Sequence, residues 1–430
     1  MTGDSDGARR RKGVKVPLVC CILLTMATPS VRAAEDPIAI LAADPRVAQG
    51  LEWISRNAGW VTNQQIFLTE IPAPELGEAR RAESLKDILA ASGLTVRKDA
   101  VGNVIAERAG SDPASVILLV AHLDTVFPAG TDVAVKREGT RLVAPGISDN
   151  GAGLAALTGL AQALAESGVR TKKTIVLAGD VGEEGEGNLR GIRALVESYR
   201  ARLAAVIAVD GPSTEHITVQ GIASRRFEMI ITGPGGHSWS DFGAPNPITA
   251  LARGIVRFSA VRVTSEPRSS FNVGMIEGGT SVNSIPARAS VKVDLRSEDE
   301  AELGRLESAL REAMQAAVKE ETSGQSVADH ALELTFRSLG NRPAGVLPED
   351  SPLLGTVRSV DRFLDNHSRL ERSSTDANLP LSLGIPAISL GGGGKGGGSH
   401  TPEEWYDPAG RELGLKRLFL TVLALAGLER

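Results

Sequence analysis

Several histidines and acidic residues directly follow apolar runs that are typical of buried strands. His122 and Asp124 come immediately after the apolar run 116–120. Because residues i and i+2 of an extended segment point the same way, the imidazole and the carboxylate can converge on one point. One of them could bind a metal ion while the other holds the imidazole in one tautomer. Taken alone, such a pair is more often a surface histidine and a capping aspartate.

Two further acidic motifs have a similar placement. Asp149 stands in the glycine-rich stretch 146–153, where its carboxylate could either cap the next helix or bridge two cations. Glu183 and Glu184 follow a second apolar run, 174–178. Adjacent carboxylates repel each other, so the pair needs a positive partner unless it is a solvated acidic turn. A metal ion would bind one glutamate and leave the other free as a general base.

The pattern recurs twice more along the chain. Asp210 ends a third apolar run, 203–209, and His400 follows a run of glycines near the C-terminus. The carboxyl ends of parallel strands meet at one edge of a sheet, where such folds place ligands. Both cysteines, Cys20 and Cys21, lie in the first 33 residues, so the remaining chain offers no thiolate ligand. The predicted donor set for two metal ions is His122, Asp149, Glu184, Asp210 and His400. It suits zinc, and cobalt or manganese are also compatible.

The elements that must position these residues change character along the chain. Buried strands alternating with helices indicate an α/β fold with a central, largely parallel sheet flanked by helices. Between residues 222 and 338 the strands instead alternate polar and apolar residues, around helices predicted at 246–259 and 298–320. That β-α-β-β-α-β order indicates an inserted α+β domain of the ferredoxin-like type. We therefore predict a larger domain from 34–221 and 339–430, and a smaller one at 222–338.

The first 33 residues predict a secretory signal peptide. A basic segment, 9–15, precedes an apolar stretch of 12 residues, 16–27, which is too short to span a bilayer. Val31 and Ala33 suit a signal-peptidase site, which predicts cleavage after Ala33. We therefore expect an exported protein, periplasmic or secreted. An uncleaved N-terminal anchor is the alternative.

Composition excludes several classes of function. The chain has 47 basic and 52 acidic residues, a net charge of −5, and only 3% aromatic residues. The negative charge argues against nucleic acids and anionic membranes, and the scarcity of aromatic side chains argues against stacking on bases. We expect no nucleic-acid partner, and no membrane association after signal removal.

Together the motifs resemble those of the M20 family of dinuclear zinc peptidases and amidohydrolases, over residues 45–428. The matching stretches, in the family's order and spacing, are AHLDTV, GISDNGAG, VGEEGEGNLRG, VDGP, GPGGHS, GGTSVNSIPA and GGSHTPEEW. The resemblance implies a catalytic α/β domain with an inserted lid domain that commonly mediates dimerisation. We therefore expect a homodimer formed through the lid.

The resemblance also implies how the metal ligands are shared. Asp149 would serve both metal sites, with His122 and Asp210 completing one site and Glu184 and His400 completing the other.

Five other residues match family positions outside the ligand set. Glu183 matches the general base that takes a proton from the water between the two ions, and Asp124 matches the acid that supports the first histidine. His237 matches a lid histidine that stabilises the tetrahedral intermediate, reaching across from the partner subunit in dimeric members. Asn283 matches a substrate-contacting asparagine of the lid. Arg296 resembles an arginine that binds substrate carboxylates, although surface charge on a strand explains it equally well.

The choice of substrate is the finest inference that the sequence allows. Aspartate at position 210 and the stretch VGEEGEGNLRG resemble those of the aminopeptidase and tripeptidase branches. We therefore expect an exopeptidase that acts on short peptides. An N-acyl-amino-acid amidohydrolase, or an enzyme like glutamate carboxypeptidase, is the alternative within the family. A non-catalytic peptide-binding homologue is a further alternative, but it would be expected to have lost Glu183 or a ligand. Arg342 and the stretch 374–378 resemble family loops without an assigned role.

Overall fold

The computed structural model describes Gly13 and residues 36–323 and 331–429. The segment predicted to be a signal peptide, residues 1–33, lies outside the described residues except for Gly13, and His330 lies outside them too. The helices and strands below belong to one unit, Pro37–Arg430. In the part of the chain that the structure describes, no helix is both long enough and apolar enough to cross a bilayer.

Helices of the described residues lie on both the larger and the inserted part of the chain. Their bounds are α1 (Pro37–Ala43), α2 (Pro45–Thr69), α3 (Ala79–Ala91), α4 (Gly151–Ser167), α5 (Arg190–Tyr199), α6 (Pro247–Ser259), α7 (Glu300–Ser323), α8 (Pro352–Phe363), α9 (Asn378–Ser382) and α10 (Arg411–Ala426). The helices predicted at 246–259 and 298–320 are confirmed as α6 and α7.

Strands of the described residues divide among four sheets. Their bounds are β1 (Thr95–Lys98), β2 (Val104–Arg108), β3 (Asp112–His122), β4 (Lys136–Glu138), β5 (Arg141–Val143), β6 (Lys173–Asp180), β7 (Leu203–Val209), β8 (His216–Gly221), β9 (Ala223–Thr232), β10 (Gly236–His237), β11 (Ser269–Gly278), β12 (Ser284–Ile285), β13 (Arg288–Ser297), β14 (Glu333–Arg342), β15 (Gly345–Val346), β16 (Arg369–Ser373), β17 (Ala387–Leu390), β18 (Lys395–Gly397) and β19 (Trp405–Asp407).

A large sheet carries the candidate site. Its order is β1-β2-β6-β3-β7-β17-β8-β15, with β16 pairing alongside β8. The four central strands, β6, β3, β7 and β17, are parallel to their neighbours within that group. The apolar runs 174–178, 116–120 and 203–209 lie in β6, β3 and β7, and residues of α2, α4 and α10 share the hydrophobic core of this sheet. The prediction of an α/β fold with a largely parallel sheet is confirmed.

The turn before α4 is tied to the end of β7. Asn150 caps α4 by accepting the backbone N–H of Gly153 at 3.0 Å, and its side-chain amide donates to the carbonyl oxygen of Val209 at 2.9 Å. A Cβ atom at Gly153 would lie 2.2 Å from that carbonyl oxygen, so only glycine permits this approach. The turn that carries Asp149 is therefore held beside the carboxyl end of the sheet.

The inserted segment forms its own antiparallel sheet, in the order β11-β13-β9-β14, against α6 and α7. A separate hydrophobic cluster, including Phe227, Met229 and Leu306, fills the space between this sheet and its helices. The element order matches the predicted β-α-β-β-α-β pattern. The last strand, β14, continues to Arg342, past the boundary predicted at 338. Its register with β9 shifts between Ser338 and Gly340, and beyond this irregularity Arg342 contacts Glu183 in the loop after β6.

A buried ion pair joins two helices of the larger part. Arg417 on α10 donates to both carboxylate oxygens of Asp361 on α8, at 2.6 and 2.8 Å. Its third contact, at 3.2 Å, is with the carbonyl oxygen of His216. Neither partner of the ion pair is solvated, since Arg417 is 0% exposed and Asp361 is 4% exposed. Such a pair fixes the relative position of its two side chains. Removing one partner costs free energy, because the other charge stays buried without a counter-ion.

Replacing Arg417 with methionine should lower the free energy of unfolding by about 3–5 kcal/mol, because it leaves the Asp361 carboxylate buried without its cation. Chemical denaturation measures the effect. The matched control is Lys416→Met, which removes the more exposed Lys416–Glu412 pair of the same helix and should cost about 0–1 kcal/mol. Equal effects of the two substitutions would contradict the prediction.

Candidate metal centre

The carboxyl ends of the central parallel strands bring the predicted ligands together. His122 is the last residue of β3, Asp210 follows β7, and Glu184 lies in the loop after β6. His122, Asp149 and Glu184 each offer a ligand atom within 4.8 Å of the others. His400 joins them from the C-terminal loop, with Nε2 3.0 Å from Oε1 of Glu184. Residues far apart in sequence thus share one edge of the sheet.

Asp149 lies between the two imidazoles. Its Oδ1 is 3.1 Å from Nε2 of His122, and its Oδ2 is 3.3 Å from Nε2 of His400. One carboxylate oxygen therefore faces each histidine. This is the placement expected of a carboxylate that bridges two cations.

A hydrogen bond with a main-chain carbonyl oxygen fixes the tautomer of His122. Nδ1 of His122 donates to the carbonyl oxygen of Asp124 at 3.1 Å, whereas the Asp124 carboxylate lies farther away, at 3.7 Å. The neutral ring then keeps its lone pair on Nε2, which faces the site. The Asp124 carboxylate instead accepts the backbone N–H groups of Glu183 and Glu184, at 3.1 and 2.8 Å. It orders the loop of the glutamate pair as well as lying beside the first histidine.

The electrostatics of the cluster show an excess of negative charge. Burial raises the pKa of Glu183 and of Asp210, and the neighbouring carboxylates raise both pKa values further. Burial would also raise the pKa of Asp149, but hydrogen bonds with His122 and His400 hold it well below its usual range. The hydrogen bonds of His400 with Asp149 and Glu184 raise its pKa to about 10.

The pKa of His122 completes this picture. Burial alone would lower it, but the hydrogen bond with Asp149 and the charge of Glu183 raise it well above the ordinary value. The carboxylates thus favour protonated imidazoles, and a metal ion would have to displace those protons in order to bind the ring nitrogens. The donor set consists of two imidazoles and several carboxylate oxygens. Such a set fits divalent metal ions.

The cluster opens into a cavity of about 290 Å³ between the large sheet and the inserted segment. Arg296 lines this cavity. His237 and Asn283 do not line it. His237 is the last residue of β10, Asn283 directly precedes β12, and both are exposed; between them, the backbone N–H of Ser238 donates to the carbonyl oxygen of Asn283 at 3.0 Å.

Sequence reasoning missed several residues of the site. Arg342, left without a role, contacts Glu183, and His216, which carries no motif, lines the cavity beside Glu371. Asp180, at the end of β6, is fully buried, and burial raises its pKa to about 8. Asp180 could have been found from the sequence, because it too is an acidic residue that follows an apolar run. Arg342 and His216 carry no such local signal.

Glu404 is a further residue that the sequence analysis did not single out. Its buried carboxylate accepts three backbone N–H groups of the turn that carries Asp149: those of Gly146 at 2.9 Å, Ser148 at 2.7 Å and Asp149 at 2.8 Å. Because Glu404 also lies four residues after His400, it connects the segments of two predicted ligands. Its only signal in the sequence is its place in the stretch HTPEEW.

Replacing Glu404 with glutamine should weaken metal binding by about 10–100-fold, because an amide cannot accept all three N–H groups and the turn of Asp149 loosens. Competition with a chelator of known affinity measures the change. Glu403→Gln is the matched control, since Glu403 is the adjacent glutamate but exposed. Unchanged affinity in Glu404→Gln would show that the turn holds its shape without this carboxylate.

Removing divalent metal should lower the midpoint of thermal unfolding, because the clustered carboxylates lose a positive partner. At a free metal concentration of 100 times Kd, the lost stabilisation corresponds to about 2.7 kcal/mol. Calorimetry before and after treatment with 1,10-phenanthroline gives the shift, and readdition of zinc should reverse it. A midpoint that responds neither to chelator nor to metal would argue against this centre.

The sequence and the fold both have known relatives. The chain is 26% identical over 335 residues to a protein of Mycobacterium tuberculosis that is named as a succinyl-diaminopimelate desuccinylase, covering 76% of this chain and 88% of that one. It is 27% identical over 213 residues to carboxypeptidase G2 of Pseudomonas sp., covering 48% of this chain and 49% of that one.

Solved structures share the architecture at lower identity. The tripeptidase of Staphylococcus aureus has a TM-score of 0.67 at 19% identity, covering 86% of this chain and 99% of its own. The dipeptidase Dug1p of Saccharomyces cerevisiae has a TM-score of 0.71 at 14% identity, covering 88% and 98%. These likenesses concern the fold.

The family is established by a match to its sequence pattern. Residues 118–424 match the sequence pattern of peptidase family M20/M25/M40, and that range includes His122, Asp149, Glu184, Asp210 and His400. Since the match covers well over half of the chain, this protein belongs to peptidase family M20/M25/M40 and is a hydrolytic metalloenzyme.

Proposed function

We propose that this chain is an exopeptidase that hydrolyses an amide bond of short peptides with the help of two divalent metal ions. The observation that carries the proposal is the position of Asp149, which directs one carboxylate oxygen toward each of two histidines. His122 and Asp210 would hold one ion with Asp149, and Glu184 and His400 would hold the other. Zinc fits this donor set best, and cobalt or manganese are compatible.

The chemistry divides between the ions and Glu183. When bound, the ions would lower the pKa of a water molecule and polarise the carbonyl of the scissile amide. Glu183 is 4% exposed and lies beside the ligands, so its carboxylate can take a proton from the attacking water and deliver it to the departing amine. The net reaction adds one water across the amide, giving a carboxylate and an amine.

The size and charge of the cavity support a small substrate with a carboxylate. About 290 Å³ lies at the lower end of ligand-site volumes. Arg296 is anchored by Asp294 at 2.6 Å and its side chain remains 43% exposed, so its guanidinium can bind a carboxylate of the substrate. A dipeptide or tripeptide provides such a group at its C-terminus.

An N-acyl-amino-acid amidohydrolase, or an enzyme like glutamate carboxypeptidase, is the second candidate. The names of the sequence relatives, a desuccinylase and a carboxypeptidase, favour it, and an N-acyl amino acid carries the same carboxylate for Arg296. The two candidates therefore differ in what precedes the scissile bond. A peptide has a free amine there, whereas an acylated amino acid does not.

We also propose that two copies associate through the segment 222–338, which would act as a lid. This arrangement would bring His237 and Asn283 of each copy to the site of the other, where His237 could stabilise the oxyanion of the tetrahedral intermediate. Trp239 and Phe242, on the same loop as His237, are 86% and 87% exposed. Exposed aromatic side chains grouped in this way are typical of an interaction surface.

Export of the chain is a separate proposal. It rests on residues 1–33, whose basic, apolar and small-residue regions are typical of a signal peptide. The mature protein would then begin after Ala33 and act in the periplasm or outside the cell.

The proposed reaction predicts a defined pattern of turnover. The protein should release an amino acid from a dipeptide or a tripeptide when zinc, cobalt or manganese is added. Glu183→Ala should lower kcat by about 10²–10⁴-fold while metal content is retained, because only the base is lost. Glu186→Ala, at an exposed glutamate of the same loop, is the matched control and should retain activity.

Other outcomes would redirect the assignment. Turnover of an N-acyl amino acid without turnover of any peptide would favour the second candidate. Bound metal without turnover of either substrate would contradict both, and would favour a peptide-binding protein.

A further inference from the structure

Arg342 brings a buried guanidinium from the inserted sheet to the predicted general base. It is the last residue of β14 and is 4% exposed. Its Nη1 donates to Oε1 of Glu183 at 2.8 Å and to the hydroxyl of Ser374 at 3.1 Å, and its Nη2 donates to the main-chain carbonyl oxygen of Glu183. One side chain thus holds both the carboxylate and the backbone of the same residue.

Two contacts to one residue restrict its side chain more than a simple ion pair does. The backbone contact fixes the start of the Glu183 side chain, and the carboxylate contact fixes its end. Arg342 contacts Oε1, so the other carboxylate oxygen is available for a proton transfer. A planar guanidinium can make both contacts at once, whereas the ammonium of lysine is a single point charge.

The end of β14 is itself fastened to the loop of the glutamate pair. The backbone N–H of Asn341 donates to Oδ1 of Asn188 at 2.9 Å, and Nη2 of Arg193 donates to the carbonyl oxygen of Asn341 at 2.7 Å. Asn188 and Arg193 lie just after Glu184 in sequence. The inserted sheet therefore meets the loop of the glutamate pair and the start of α5 through the backbone of Asn341 and the side chain of Arg342.

Arg342 differs from the arginine that suits a substrate carboxylate. Both of its Nη atoms contact Glu183 and the residue is only 4% exposed, so its guanidinium is directed mainly at the general base. Arg296 lines the same cavity with a side chain that is 43% exposed. The two arginines thus have separate tasks, one toward the base and one toward the substrate.

We propose that Arg342 is a positioning residue, which sets the orientation of the Glu183 carboxylate for proton transfer and makes that orientation depend on the docking of β14. The proposal rests on the proposed function, because it takes Glu183 to be the general base. It assigns a role to the inserted sheet within a single chain, apart from any contact between two copies.

The test compares wild type, Arg342→Met, Glu183→Ala and the double variant, with the peptide that wild type turns over. Arg342→Met should lower kcat about 10²-fold, the size of effect that a misplaced group produces, and should change KM by less than about 3-fold. In the Glu183→Ala background the same substitution should have no further effect on kcat. Metal content and the midpoint of thermal unfolding are measured for each protein.

Two further variants separate position from charge and from folding. Arg342→Lys keeps the charge but not both contacts, so it should recover only part of kcat, and it serves as the test if Arg342→Met does not fold. Arg337→Met is the matched control. Arg337 lies on the same strand and pairs with Glu228, but its side chain is 57% exposed, so kcat should stay within about 2-fold of wild type.

The outcomes distinguish this proposal from the proposed function. Absence of turnover by wild type contradicts the proposed function. If wild type is active, an unchanged kcat in Arg342→Met overturns the role of Arg342 alone. A raised KM with kcat preserved would make Arg342 a substrate anchor. If Arg342→Met lowered kcat equally in the wild-type and Glu183→Ala backgrounds, Arg342 would not act through the general base.

Discussion

Repulsion among carboxylates at one edge of the sheet is the constraint on which the rest of this structure depends. Asp149, Glu183, Glu184 and Asp210 converge because parallel strands end at the same edge. Burial removes the water that would otherwise screen their charges, so each ionised carboxylate needs a positive neighbour. His122, His400 and Arg342 provide positive charge from the chain itself. The remaining excess of negative charge suits the cluster to bind divalent metal ions.

The shape of the centre is maintained largely through main-chain groups. Glu404 accepts N–H groups of the turn that carries Asp149, and Asp124 accepts those of Glu183 and Glu184. Each of these carboxylates orders the backbone of ligand-bearing loops. Charge-assisted hydrogen bonds to backbone are strong and directional, so loops placed in this way present their side chains in fixed positions. Irregular loops can therefore serve as a rigid frame for a metal site.

The inserted sheet contributes to the site unevenly. Arg296 and Arg342 bring two guanidiniums to the cavity, one partly exposed and one enclosed by its contacts with Glu183. His237 and Asn283 belong to the same segment but are exposed and do not line that cavity. The segment therefore completes part of the site within one chain. Under the proposed association, its other residues would act in a second copy.

The sequence by itself determined the fold class and predicted a candidate ligand set, because both depend on local patterns. Apolar runs identify the central strands, and His122, Glu184 and Asp210 are found at or just after their ends, whereas Asp149 stands in the glycine-rich turn before α4. Only the tertiary structure decided the roles of Arg342 and Glu404, since their partners are remote: Arg342 is 159 residues from Glu183, and Glu404 is 255 residues from Asp149. A buried arginine or glutamate has no periodicity that marks it. Which backbone or carboxylate it meets is set by the packing of β14 and of the C-terminal loop against the sheet.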